Sequence, residues 1–172
     1  MAIIKKINNI YPKIEKNCFL ADNAVLIGDV SLKKNCTIWF NAVLRGDVNS
    51  IRIGNNVNIQ DNAVIHGTYK THATIIGNNV SIGHGAIVHG CTILDNVLVG
   101  MGAIIMDGAI IESNTIIGAG SVITKNKKIP SNSIFAGNPA KILEKNISSE
   151  KRKIIKKTAD NYINYAKWYH LD

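Results

Sequence analysis

IGNNVNIQDNAVIH (Ile53–His66) and IGNNVSIGHGAIVH (Ile76–His89) decide the fold. In both, an aliphatic residue followed by a small or polar one returns every six positions: Ile53-Gly54, Ile59-Gln60 and Ile65-His66, then Ile76-Gly77, Ile82-Gly83 and Val88-His89. A period of six matches neither the helical 3.6 nor a heptad, and it is too long for one strand and turn of a meander. It suits a solenoid whose units are each a short strand and a corner. The aliphatic residue then points inward, and Gly, Asn or Asp accepts the backbone angles of the corner. Three units close a triangular coil, and successive coils stack aliphatic on aliphatic, as at Ile76, Ile93 and Ile111.

Outward from this stretch, the phase slips by one residue after Val88 and resumes at Ile93, Val99, Ile105, Ile111, Ile117 and Ile123. Weaker copies begin near Ala24 and Ile27-Gly28. The expected fold is mainly β, a left-handed parallel β-helix of hexapeptide repeats over about 18–124. The stretch between Ile65 and Ile76 is one residue short of two units and should form a small excursion. Residues 125–147 are turn-rich, and Ala136-Gly137-Asn138-Pro139-Ala140 should end the solenoid. A C-terminal α-helix is expected over 148–170, capped by Ser148 or Ser149, with Ile154, Ile155, Thr158, Ala159, Tyr162 and Ala166 on one face. A length of 172 residues suits a single domain.

Charge divides the chain. Residues 1–124 hold nine Lys/Arg against eight Asp/Glu, whereas 125–172 hold eleven against four, so +7 of the formal +8 lies in the tail. Lys151, Arg152, Lys153, Lys156 and Lys157 are spaced like the wet face of a helix, and no aromatic ladder is interleaved with them, which argues against a nucleic-acid binder. Cys18, Cys36 and Cys91 are an odd count without CxxC spacing, so neither a disulfide framework nor a cysteine zinc cluster is expected, and a reducing cytoplasm fits. The start, Met1-Ala2-Ile3-Ile4-Lys5-Lys6, lacks the apolar run of a signal peptide, and no window is long enough to span a bilayer.

Three of five histidines fall within 24 residues of repeat. His66 and His89 follow an inward aliphatic, and His84 sits one position further along its unit. Counting three units on from Ile65 reaches Ile82, which would put His84 on the coil above His66 on the same wall and His89 on the next wall. Side chains pointing from different faces converge most easily where two subunits meet. Three imidazoles with an open fourth position form the catalytic zinc pattern, and imidazole accepts Fe(II) or Co(II) as well. His72 and His170 read as surface residues. Gln60 and Asp61 lie at a corner expected close to His66, where they would orient a bound water or bicarbonate.

The run Asn41-Ala42-Val43-Leu44-Arg45-Gly46-Asp47, then Asn58-Ile59-Gln60-Asp61 ahead of His66, Gly83-His84 and His89-Gly90-Cys91-Thr92 resembles the γ-class carbonic anhydrase family. Val99-Gly100-Met101-Gly102, the Ala136–Ala140 turn and Asn161-Tyr162 extend the resemblance over roughly residues 10–170. It implies a homotrimer with zinc at each subunit interface, held by His66 and His89 of one subunit and His84 of its neighbour. It also implies that Arg45 and Asp47 pair at that interface, that Tyr162 reaches the metal pocket, and that the reaction is reversible hydration of carbon dioxide to bicarbonate. The chain departs from the family prototype at the proton shuttle: Val48 follows Asp47 where the prototype has glutamate, and the loop Gly67-Thr68-Tyr69-Lys70-Thr71-His72 carries no acid. The other readings are an acyl-CoA thioesterase or acetyltransferase on the same scaffold, or a weakly active trimeric scaffold with structural zinc and Cys91 as a fourth ligand.

Overall fold

The computed structural model describes residues 1–170, His170 by its backbone alone. It is a left-handed parallel β-solenoid of about seven turns with one C-terminal helix. Short strands stack into three walls. The first contains Ile3–Lys5, Val64–His66, Ile87–His89, Ile104–Ile105 and Val122–Ile123, and the second Lys13–Ile14, Thr74–Ile76, Thr92–Ile93, Ile110–Ile111 and Lys128–Ile129. The long strands Val25–Leu32 and Val43–Ile53 run from the first wall into the second. The third wall rises through Phe19–Leu20, Thr37–Ile38, Asn58–Ile59, Ser81–Ile82, Val97–Val99, Thr115–Ile117 and Ser133–Gly137.

The aliphatic period becomes the core. Ile76 pairs with Ile93 and Ile93 with Ile111, as the spacing predicts. Leu26, Leu44, Ile65, Val88 and Ile105 form the matching column of the first wall, each fully buried. Asn residues turn the corners at positive φ, among them Asn35, Asn56, Asn79 and Asn96 at +54° to +59°. Asn visits this region at low cost because its short polar side chain bonds locally. Here the bonds run between coils: Asn35 donates to Asn56 and Asn56 to Asn79, each at 3.0 Å, and Asn79 to Asn96 at 3.1 Å.

The coil exceeds its expected bounds at both ends. Ile3–Lys5 already pairs with Val25–Leu32. The stretch expected as a turn-rich connection instead carries Lys128–Ile129 and Ser133–Gly137 as further rungs, followed by the antiparallel strand Ala140–Lys145. Ile129 and Phe135 continue the inward columns, which keeps the stack growing past residue 124. The Ala136–Ala140 motif is the turn between the last two strands and ends the parallel stack.

Helix α1 spans Ser149–Ala166, with Ser148 as N-cap accepting from Lys151 N at 3.3 Å. Ile155, Ala159 and Ala166 are buried, and the helix packs on the third wall. Ile154, expected on the packed face, is exposed. Arg152, Lys153, Lys156 and Lys157 are exposed as expected, while Lys151 is paired with Glu144. An aromatic cluster of Phe19, Trp39, Phe40, Tyr162 and Tyr165 seals the lower end of the helix against the coil. No helix among the described residues is long and apolar enough to cross a membrane.

Candidate functional site

The corner between the first and second walls collects the charged side chains of four successive coils. Leu44, Ile65 and Val88 stack in register, and one residue beyond them stand Arg45, His66 and His89. His66 and His89 are therefore neighbours on one wall. The expectation that His84 shares a wall with His66 is wrong for a definable reason. The excursion after His66 takes no wall of its own, so Ile65 to Ile76 is a single unit; Ile82 stacks on Ile59, and Val88 on Ile65.

His66 Nδ1 and His89 Nε2 face each other at 3.1 Å, and the rings are tilted by 59°. Their outer nitrogens are occupied. His66 Nε2 lies 3.1 Å from Asp47 Oδ1, whose other oxygen is 2.5 Å from an Arg45 guanidinium nitrogen. His89 Nδ1 lies 2.7 Å from Asp107 Oδ1, which also accepts from the Thr68 hydroxyl at 2.9 Å, with Lys125 Nζ 3.7 Å from Oδ2. Partial burial on its own would raise both carboxyls. The bonds from Arg45 and His66 to Asp47, and from His89 and Thr68 to Asp107, outweigh it and hold both below the usual carboxylate range.

Two swollen corners bring these partners in. Val25–Leu32 and Val43–Ile53 pair up to Gly28–Gly46 and again from Val30–Ile51, so the second strand bulges between them and delivers Asp47. The expected excursion after His66 is present as a turn closed by Thr68 and His72, with Thr68 N donating to His72 O at 2.9 Å. His72 is half-buried beside Gly90 and Gly108 rather than on the open surface. His170, the other histidine expected at the surface, lies outside the described side chains.

His84 occupies a different corner, between the third wall and the first. Its Nδ1 is 2.8 Å from Asp61 Oδ2, its Nε2 3.4 Å from the Tyr162 hydroxyl, and its backbone N donates to Gln60 Oε1 at 3.2 Å. Gln60 in turn donates to Asn58 at 2.9 Å, and Asn58 to Ser81 at 2.7 Å, a buried polar chain beneath the helix. Gln60 and Asp61 thus serve the His84 corner, not the His66 corner where they were expected. Burial, and then the charge of Asp61, push the Tyr162 hydroxyl up to about 12.

Asp107 is the site residue that the sequence reading missed. The first wall stacks Ile87 on Ile104 and Val88 on Ile105, so Asp107 stands one residue past the rung of His89. The signal lay in the phase slip after Val88: counting on from His89 in the register it sets reaches Met106, beside Asp107. Cys91 is buried in the core and its thiol is pushed up to about 12, by burial first and by Asp107 second. It does not close a four-ligand cluster.

Among the described residues, no three metal-ligating side chains converge within one chain. The His66–His89 pair nonetheless fits half of a metal site. Two nitrogens bound tetrahedrally at about 2.0–2.1 Å from zinc stand about 3.3 Å apart. A carboxylate on the far nitrogen is the usual way a ligating imidazole is oriented.

Comparison with known proteins gives the arrangement its context. A family model described as bacterial transferase hexapeptide (six repeats) matches residues 11–46 and 90–125. The unmatched interval holds both swollen corners and all three candidate histidines. The chain is 42% identical over 160 residues to Gamma carbonic anhydrase 1, mitochondrial, of Arabidopsis thaliana, covering 90% of this chain but only 58% of that relative's length. It is 49% identical to the Probable carbonic anhydrase of Methanocaldococcus jannaschii, covering 89% of this chain and 95% of the relative. A crystal structure of a hexapeptide transferase family protein from Anaplasma phagocytophilum superposes with a TM-score of 0.92 at 41% identity, covering 97% of this chain and 98% of that one. By its sequence, its solenoid and these relatives, the chain belongs to the γ-class carbonic anhydrase family of hexapeptide-repeat proteins.

Proposed function

We propose that the protein catalyses the reversible hydration of carbon dioxide to bicarbonate at a zinc held between subunits of a homotrimer. One observation carries the reading: two imidazole nitrogens face each other at 3.1 Å while carboxylates occupy the far side of both rings. The first wall supports the assembly, because it is flanked by the His66–His89 pair at one edge and by His84 at the other. A head-to-tail ring with this wall towards its axis brings the two half-sites together, and a heterologous contact of this kind closes when the rotation is threefold. Its outer face is an apolar column that includes Ile3, Ile87 and Ile104, each more than a third exposed in the single chain. A neighbouring copy would cover it.

Bound zinc supplies a Lewis acid that lowers the pKa of water to about 7 and so makes a nucleophile at neutral pH. Asp47 and Asp107 fix the orientation of His66 and His89. Gln60 and Asp61 hold the loop and ring of His84, and Tyr162 presents its hydroxyl beside them. Arg45 keeps Asp47 ionised. Three thiols without a disulfide suit a reducing compartment such as the cytoplasm.

The test is carbon dioxide hydration by protein loaded with zinc and, without air, with ferrous iron, beside His89→Ala. Metal-dependent hydration that the variant lacks supports the reading. Bound metal without hydration overturns it and favours the second reading, an acyl-CoA thioesterase or acetyltransferase, towards which the similarity to the hexapeptide transferase family protein of Anaplasma points. A panel of acyl-CoA esters separates these two activities.

A further inference from the structure

Cys18 and Cys36 take no part in the candidate site. The strands that follow them pair in register, Phe19 with Thr37 and Leu20 with Ile38, and Phe19 N donates to Cys36 O at 2.8 Å. The two cysteines therefore occupy successive rungs, at the roughly 4.8 Å spacing of paired strands. That lies within the roughly 4.4–6.8 Å between Cα atoms that a disulfide spans. Higher rungs of the same column carry Val57, Val80 and Val97, so packing alone asks only for a small apolar side chain here. Both thiols lean towards the corner, Cys18 Sγ on Lys33 O and Cys36 Sγ on Gly54 O, each at 3.1 Å.

The pair is asymmetric. Cys36 is fully buried. Cys18 is half-buried and lines a cavity of about 500 Å³ between the third wall and α1, bounded by Thr37, Ile163 and Ala166. Interaction with the Cys36 thiol lowers that of Cys18 to about 7, against the opposing effect of burial, while the Cys36 thiol is driven above its usual range. An accessible thiolate beside a shielded partner thiol is the arrangement that reacts with oxidants and then resolves.

We propose that Cys18 and Cys36 form a peroxide-reactive dithiol site, with Cys18 as the attacking sulfur and Cys36 as the resolving one. The Cys18 thiolate attacks the O–O bond of a hydroperoxide, takes one oxygen as sulfenic acid and releases the other as an alcohol or water. The Cys36 thiol then condenses with the sulfenic acid, forming the S–S bond and releasing water. Two thiols and one hydroperoxide give one disulfide, one alcohol or water, and one water; two electrons pass from sulfur to the peroxide. The product ties the first coil to the second.

The experiment is peroxide oxidation of the full chain at pH 7.5, with a cyclic 1,3-dione present to trap sulfenic acid, followed by peptide mass spectrometry. The expected result is a peptide linked through Cys18 and Cys36, formed at least about tenfold faster than any change at Cys91, the buried internal reference. In Cys36→Val, which installs the residue of the higher rungs, the trapped sulfenic acid should accumulate at Cys18. In Cys18→Val, Cys36 should stay reduced. Oxidation of Cys18 no faster than Cys91, linkage between chains, or trapped Cys18 beside free Cys36 in the wild type overturns the proposal. If a variant fails to fold, the wild-type outcome decides alone.

Discussion

His89 is held at one ring nitrogen by Asp107, 2.7 Å away, and turns the other towards His66. A carboxylate in this position fixes the tautomer and raises the basicity of the ligating nitrogen, so its loss costs about 10–100-fold in metal affinity. Asp107→Asn should weaken zinc binding by that factor in a chelator competition, while His89→Ala should abolish it. Equal affinity in wild type and Asp107→Asn would remove Asp107 from the site.

The same contact makes stability depend on acid. Asp107 titrates below the ordinary 3.8 because its bonds to His89 and Thr68, and the charge of Lys125, outweigh the upward push of burial. A folded value below the unfolded one gives stabilisation that is complete above about pH 4 and is lost as the pH falls through the folded value. Asp107→Asn should be about 1–2 kcal/mol less stable than wild type at pH 7 in urea unfolding, with the gap closing as acid protonates Asp107 in the folded protein. A gap unchanged by pH would show that charge is not its source.

At Asn79, φ is +54° and the amide bridges Asn56 to Asn96. Ala here would face the left-handed region with a Cβ and break two links, at about 1–3 kcal/mol. Gly would break the links without the strain. Chemical denaturation should therefore rank wild type above Asn79→Gly and Asn79→Gly above Asn79→Ala.

Ile93 is fully buried between Ile76 and Ile111. Ile93→Ala should lose about 2–5 kcal/mol, since the rungs above and below are tied by strand bonds and cannot close on the void. A loss under 1 kcal/mol would mean that the coil collapses locally.

Tyr162 packs edge-on against Trp39 at 5.4 Å and sets its hydroxyl 3.4 Å from His84. Tyr162→Phe keeps the ring and deletes only the hydroxyl, so its thermal midpoint should lie within about 2 °C of wild type. Hydration, where measured, should change with it by less than about tenfold. A large fall in midpoint would make the hydroxyl structural.

The inward columns were legible because burial repeats at a fixed interval, and Ile76, Ile93 and Ile111 stack where that interval puts them. From the spacing alone, the histidines were legible as residues but not as neighbours; only the family resemblance grouped His66 with His89. Their wall depends on how many units separate Ile65 from Ile76, and the excursion between them hides the count. Asp107 escaped because it lies between Met106 and Gly108 on a corner with no repeat signal of its own, and only its place beside the rung of His89 marks it. Lys128–Ile129 and Ser133–Gly137 escaped because the run from Lys125 to Asn132 is polar and turn-forming and Asn138-Pro139 follows, yet Ile129 and Phe135 still reach the core.

The turn from Gly67 to Ala73 hangs from a corner whose flanking rungs, Val64–His66 and Thr74–Ile76, stay in register with the coils on both sides. A loop attached in this way can lengthen, shorten or change its charge without moving any rung, because each rung takes its place from the one beneath it and not from the count of residues along the chain. Reactivity and architecture are thus inherited separately in this molecule: selection can rewrite Thr68 to His72 to suit a new proton donor or substrate while the stack that carries His66 and His89 goes on folding as before.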